Sequence, residues 1–304
     1  MQAVSALKKI GATLAGVSLA GAVWAQDGAD ATLPELKTLG IPNQDGYGFQ
    51  APATELMTDV IALDTFLLWI ITIISLFVTG LLLYCVFVFN AKRNKKPATF
   101  THNSVLEVAW TVVPIIVLII MIPPSLTLLF KQQEIPAADI TIKATGNQWY
   151  WSHEYVDHGF GFDSFMLPKE DLAANGYEQD EYLLATDTAV VVPTGKVIVV
   201  QVTGADVIHA WTIPAFGVKQ DAVPGRLAQL WFEVDEGKEG IYFGQCSELC
   251  GKDHSYMPIT VKAVSQADYD TWLASAKAEY AQGPVTVKVA DANMIKVLET
   301  EAAN

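Results

Sequence analysis

Basic residues are scarce in this sequence. Nineteen lysines and arginines stand against 33 aspartates and glutamates, a net charge of −14 over 304 residues. With an isoelectric point near 4.7, the chain lacks the basic face that phosphate binding needs, which excludes nucleic acid as a partner. An acidic surface suits a basic partner, or simply keeps a chain soluble, and composition does not choose between the two. Charge of either sign is sparse as well, at 17%. A mean hydropathy of +0.29 is too apolar for an ordinary soluble protein, and the charge is too high for a multi-span transporter. Two apolar spans plus one soluble domain account for both. Cysteine is nearly missing, with three residues. Cys85 lies in the apolar run Leu83-Tyr84-Cys85-Val86 and reads as a small buried hydrophobe, which leaves Cys246 and Cys250. The sequence has no internal repeat.

Those two cysteines open the stretch Cys246-Ser-Glu-Leu-Cys250-Gly-Lys-Asp-His254-Ser-Tyr-Met257, and a second histidine lies upstream in Ile208-His209-Ala210-Trp211. The set is soft. Thiolate with thioether selects copper over hard cations, and imidazole suits copper. Two cysteines are one more than a mononuclear blue-copper centre uses, which points to two metal ions bridged by two sulfurs. A Cys246–Cys250 disulfide is the first alternative, since an exported domain meets an oxidising compartment. A Cys2His2 zinc site is the second, and it leaves Met257 unexplained. A methionine alone is more often core filling. On balance the chain reads as an electron-transfer protein held on a membrane.

Residues 1–25 have the form of an export signal: Lys8-Lys9, an apolar stretch from Ile10, then Val23-Trp24-Ala25 before Gln26. Residues 26–55 are rich in Gly, Pro and polar residues and predict irregular structure. A membrane hairpin is expected over 56–131. Its spans, about 65–91 and 108–130, carry no charge and are each long enough to cross a bilayer. Pro114 and Pro123-Pro124 should bend the second. Lys92-Arg93-Asn94-Lys95-Lys96 between them marks the cytoplasmic side and puts both termini outside. Residues 132–280 read as strands at 139–145, 189–193, 196–203, 229–234, 240–244 and 258–264, a β-sandwich or small barrel. A terminal amphipathic helix spans 266–280, with Tyr269, Leu273 and Ala276 on one face. The tail 281–304 is acidic and Ala-rich. In a sandwich the loops at one end converge, so His209 can meet the cysteine loop.

Four segments resemble subunit II of the aa3-type cytochrome c oxidases, the bacterial branch in particular. They are Asn147-Gln148-Trp149-Tyr150-Trp151, Val207-Ile208-His209-Ala210-Trp211, Lys219-Gln220-Asp221-Ala222-Val223-Pro224-Gly225-Arg226 and Gly244-Gln245-Cys246-Ser247-Glu248-Leu249-Cys250-Gly251. The likeness covers roughly residues 55–275. It implies a two-helix transmembrane hairpin followed by an all-β cupredoxin-like sandwich, in a bacterial inner membrane. It also implies a binuclear CuA centre on His209, Cys246, Cys250, His254, Met257 and the backbone carbonyl of Glu248, whose side chain would serve a magnesium or manganese ion shared with subunit I.

Trp149 then resembles the residue at which electrons enter, with Trp151 as packing. Glu154, Asp157, Asp187 and Asp206 resemble positions that dock cytochrome c, and Glu107 matches a glutamate at the mouth of a proton channel in subunit I. Implied partners are cytochrome c, subunit I with haem a, haem a3 and CuB, subunit III and membrane lipid. The complex would oxidise ferrocytochrome c, reduce dioxygen to water and pump protons. A quinol-oxidase relative would lack the two cysteines and Met257. A CuA-bearing reductase of nitrogen oxides fits the hairpin and Glu107 less well, and a free copper carrier has no need of two spans.

Overall fold

The computed structural model describes residues 29–42, 46–96 and 98–280, so the expected signal (1–25) and the tail (281–304) lie outside the described residues. Two long helices come first: α1 over Glu55–Val88 and α2 over Ser104–Gln133. At 1.5 Å per residue they are about 51 and 45 Å long, beyond the roughly 30 Å of bilayer hydrocarbon. α1 starts well ahead of the uncharged run because Thr54 caps it, its hydroxyl accepting the Met57 N–H at 3.0 Å. Asn103 caps α2, accepting from Val105 and Leu106 at 3.1 and 3.2 Å. The second helix runs as one element through Pro114, Pro123 and Pro124. Most of the apolar side chains of both helices, Leu68, Trp69, Phe77 and Ile119 among them, are exposed. Lipid or neighbouring membrane subunits must cover them. Cys85 is exposed too, not buried as expected, because a two-helix hairpin has only one narrow seam to hide a side chain in.

The strands are β1 (Thr38–Gly40), β2 (Ile140–Asn147), β3 (Tyr150–Tyr155), β4 (Phe160–Ser164), β5 (Val190–Pro193), β6 (Val197–Gly204), β7 (His209–Ile213), β8 (Val218–Ala222), β9 (Ala228–Glu233), β10 (Gly240–Gln245) and β11 (Pro258–Val264). One sheet has the order β1-β10-β11-β5, a second β4-β3-β2-β6-β9, and β7-β8 form a ribbon. Along β2 every second side chain is buried, the period of a half-buried strand. Ile142 and Ala144 share one core with Val200, Phe232, Ile259 and Val261 from the other strands. A second, smaller core of Leu167, Leu172, Tyr177 and Phe243 sits under the long connection from β4 to β5. This is the expected hairpin followed by a cupredoxin-like sandwich.

The segment expected to be irregular contributes structure. Ala29–Thr32 form a 3-10 turn, and β1 runs parallel to β10 with Thr38 opposite Ile241. Asp30 holds the turn down: it takes the Lys262 ammonium at 2.6 Å and the Trp272 indole at 3.1 Å. The last helix, α3, spans Gln266–Tyr280, the range the sequence pattern predicts; it buries Tyr269 and Ala276 of the expected face together with Trp272, while Leu273 is only half-buried.

Both membrane helices are joined to the sandwich. Thr54 Oγ1 donates to the Phe216 carbonyl at 2.8 Å, and the Ala53 N–H donates to the Ala215 carbonyl at 3.0 Å. On the second helix, the Lys131 carbonyl accepts the Trp231 indole at 3.1 Å, and Lys131 Nζ pairs with Glu55 and Asp59 at 2.8 and 2.6 Å. Residues 214–216 are the turn between β7 and β8, so the hairpin is fixed to the ribbon whose other end carries His209.

Candidate metal centre

Three backbone elements converge at the end of the sandwich where β2 finishes. The β10–β11 hairpin closes with Gln245 opposite Pro258, and the loop between them carries Cys246, Cys250, His254 and Met257. His209 opens β7. It lies against Gly146 of β2, where any Cβ would stand 2.8 Å from the imidazole ring, so only glycine leaves room for it. His209, Cys246, Cys250 and Met257 are buried.

The two sulfurs stand 3.9 Å apart, nearly twice the roughly 2.05 Å of a disulfide, and both cysteines are free. Each faces its own imidazole. His209 Nδ1 is 3.8 Å from the Cys246 sulfur, and His254 Nδ1 is 3.5 Å from the Cys250 sulfur. Met257 Sδ lies 3.5 Å from Cys250, and the Glu248 carbonyl 3.3 Å from Cys246. All six expected donors therefore meet around one sulfur pair. Two thiols, two imidazoles, a thioether and a carbonyl form a donor set that fits copper.

The surrounding residues aim these donors. Asp206 accepts from His209 Nε2 at 2.8 Å, which leaves Nδ1 turned to the sulfurs, as an outer carboxylate does for a ligating imidazole. Burial raises the Asp206 carboxyl, but bonds from His209, Val207 N–H and Gln148 N–H hold it below the ordinary range. Burial likewise opposes ionisation of Cys246, yet its contact with His209 brings the thiol down. Burial and the adjoining Cys246 push Cys250 up. Cys246 is therefore the readier of the two to ionise, and metal binding would require both thiols to lose their protons.

Four donors tie the loop to its surroundings. Gln148 and Trp149 donate side-chain N–H groups to the Cys250 carbonyl at 2.8 and 3.3 Å. Lys219 reaches the Ser247 carbonyl at 3.2 Å, and the Ser247 N–H donates to Ala210 at 3.1 Å.

Two models of one family match. "Cytochrome C oxidase subunit II, periplasmic domain" covers residues 140–264, and the transmembrane domain of the same subunit covers 42–128. The chain belongs to the cytochrome c oxidase subunit II family. It is 54% identical over 280 residues to cytochrome c oxidase subunit 2 of Cereibacter sphaeroides, covering 87% of this chain and 92% of that one. It is 44% identical over 237 residues to the probable subunit 2 of Rickettsia bellii, covering 78% and 86%. Among solved structures, the periplasmic domain of subunit II from Bradyrhizobium japonicum aligns at 52% identity over 48% of this chain and 99% of that one, with a TM-score of 0.42. The chain is thus part of a cytochrome c oxidase, an oxidoreductase of respiratory electron transport. It works with other oxidase subunits, lies in the inner membrane with two spans, and carries a copper site in its periplasmic domain.

The remaining subunit II residues expected from sequence fall at different places. Trp149 is half-buried, beside Gly251, where a Cβ would stand 3.0 Å from the indole. Asp206 is at the centre itself. Glu154 faces Lys143 across the β2–β3 pair at 3.6 Å, about 13 Å along the strand from Tyr150. Asp157 accepts the Thr141 N–H at 2.7 Å, near the far end of β2. Asp187 turns inward to accept from the Phe165 and Thr188 N–H groups, both at 2.8 Å, and burial raises its carboxyl.

Glu107 is exposed at the start of α2 and accepts the Asn103 N–H at 3.2 Å, completing the cap. Sequence reading missed Asp163. It is exposed on β4, takes the Ser152 hydroxyl at 2.6 Å, and with Asp206 raises the phenol of Tyr150 after burial does. The alternation Phe160, Phe162, Ser164 inward and Asp163 outward was the available signal.

Proposed function

We propose that His209, Cys246, Cys250, His254, Met257 and the Glu248 carbonyl would hold two copper ions as a CuA centre. At this centre the chain takes electrons from reduced cytochrome c and passes them to haem a of subunit I. Dioxygen reduction and proton pumping follow there. The observation that carries the reading is a pair of buried, free thiols 3.9 Å apart, each facing a different imidazole. A mononuclear blue-copper centre needs one thiolate, and a second copper ion accounts for the second thiol with its own imidazole. Bound copper supplies a one-electron store.

The residues of the chain do the rest. The half-buried Trp149 presents a docked partner with a ring that is hydrogen-bonded to the Cys250 carbonyl. Asp206 and Asp163 put negative charge beside it, which steers and orients a basic partner. Glu154 and Asp157 extend that charge along the sheet, and the inward-turned Asp187 adds to it only through its field. Asp206 has a second task, holding the His209 ring by its Nε2. Electrons leave on the His254 side, and the exposed Glu248 carboxylate serves magnesium or manganese at the contact with subunit I. Glu107 sits at the mouth of a proton channel of subunit I. Residues 1–25 are removed on export, the mature termini are periplasmic, and Lys92–Lys96 face the cytoplasm.

Stopped-flow mixing of the assembled oxidase with ferrocytochrome c tests the reading. The metal centre should be reduced before haem a, and Cys250→Ser should abolish both steps. Haem reduction at an undiminished rate in that variant would contradict it.

A further inference from the structure

Trp151 reads as sandwich packing in the sequence, and it is wholly buried. Its neighbours are not ordinary core. The indole N–H donates to the Met257 carbonyl at 3.3 Å. The ring stands edge-on to the His209 imidazole, with centroids 6.0 Å apart and planes at 65°. The same Met257 carbonyl accepts the Cys246 N–H at 3.4 Å. One carbonyl thus joins Cys246, Met257 and Trp151, and a single side chain reaches donors from both β7 and the β10–β11 loop.

Met257 sits between the 3-10 turn His254–Tyr256 and β11, so the orientation of its peptide determines how closely Sδ approaches the sulfur pair. Trp151 is well placed to set that orientation. Its backbone pairs with Gly146, the residue that leaves space for the His209 ring, so the indole enters from a strand already in register with the centre.

We infer that Trp151 is a positioning residue for the metal centre: its indole N–H fixes the Met257 peptide, and with it the thioether, while its ring fixes the His209 imidazole. The inference rests on the copper reading above. Outer hydrogen bonds and the thioether ligand tune the potential of a copper centre. Without the indole donor, the Met257 carbonyl keeps only the longer bond from Cys246, and the thioether gains freedom that the redox centre registers.

The test uses the full chain in detergent micelles loaded with copper. Trp151→Phe keeps an apolar ring and removes the donor. Benzothienylalanine at the same position replaces N–H by sulfur with almost unchanged shape, and covers the case in which phenylalanine does not fold. Both replacements should retain the copper content of the parent yet shift its midpoint potential and its copper hyperfine splitting. In a Met257→Leu background the same replacements should add little further shift. A copper-loaded variant with the parent's potential and hyperfine splitting would overturn the inference and leave Trp151 as packing alone. Failure of the parent chain to take up copper would instead overturn the copper reading, so the two failures are distinguishable.

Discussion

The His153 imidazole accepts the Trp211 indole N–H at Nε2 and meets the Ser164 hydroxyl at Nδ1, an arrangement open only to the neutral ring. Burial pulls its pKa down to about 3, against about 6.5 in an unfolded chain. Above pH 6.5 both states are neutral and the folded state keeps its full stability. Below it the unfolded chain binds a proton that the folded chain refuses, so stability drains away between pH 6.5 and pH 3. At about 1.4 kcal/mol per pH unit the loss approaches 4–5 kcal/mol. Denaturant titrations across this range should show a shallower pH slope for His153→Gln than for the parent, and equal slopes would refute the assignment.

Trp149 supports a second prediction. Trp149→Ala should slow reduction of the centre by ferrocytochrome c tenfold or more, on the order of 1.4 kcal/mol in the barrier, with copper content unchanged. Near-normal reduction would remove it from the route. The metal donors were legible because four of the side-chain donors fall within twelve residues of sequence, where spacing reports chemistry. The place of Asp163 beside Tyr150 and the Trp151–Met257 bond were not, since both depend on which strands become neighbours.

Among the elements, the joint between α1 and the β7–β8 turn carries the most consequence. Thr54 serves both sides: its hydroxyl accepts the Met57 N–H of the helix and donates to the Phe216 carbonyl of the sandwich. Thr54→Val should cost about 1–2 kcal/mol, seen as a lower Tm of the full chain, and Thr54→Ser should restore most of it. A Tm unchanged by valine would mean the joint is held by apolar contacts alone.

The long apolar spans and α3 were readable because their patterns persist over many residues. β3, β7 and β8 were not. Tyr150–Tyr155 and His209–Ile213 interleave aromatics with polar residues, and Val218–Ala222 is mostly polar. The three residues of β1 take their partner from β10, some 200 positions away, so nothing local announces them.

For the whole molecule, the charge of −14 takes on direction once folded, because Asp206 and the exposed Asp163 both lie beside Tyr150 at the metal end of the sandwich. Association of the oxidase with a basic cytochrome should therefore slow at least tenfold as ionic strength rises from low to physiological. Asp163→Asn should lower the low-salt rate several-fold and leave the high-salt rate alone. A salt-independent rate would place docking elsewhere.

The central claim is the binuclear copper centre, and metal content measured together with electron spin resonance on the copper-loaded full chain tests it most directly. The ligand geometry predicts two coppers per chain and a hyperfine pattern from two equivalent copper nuclei. One copper, a zinc ion, or a metal-free chain with Cys246 and Cys250 oxidised to a disulfide would contradict it.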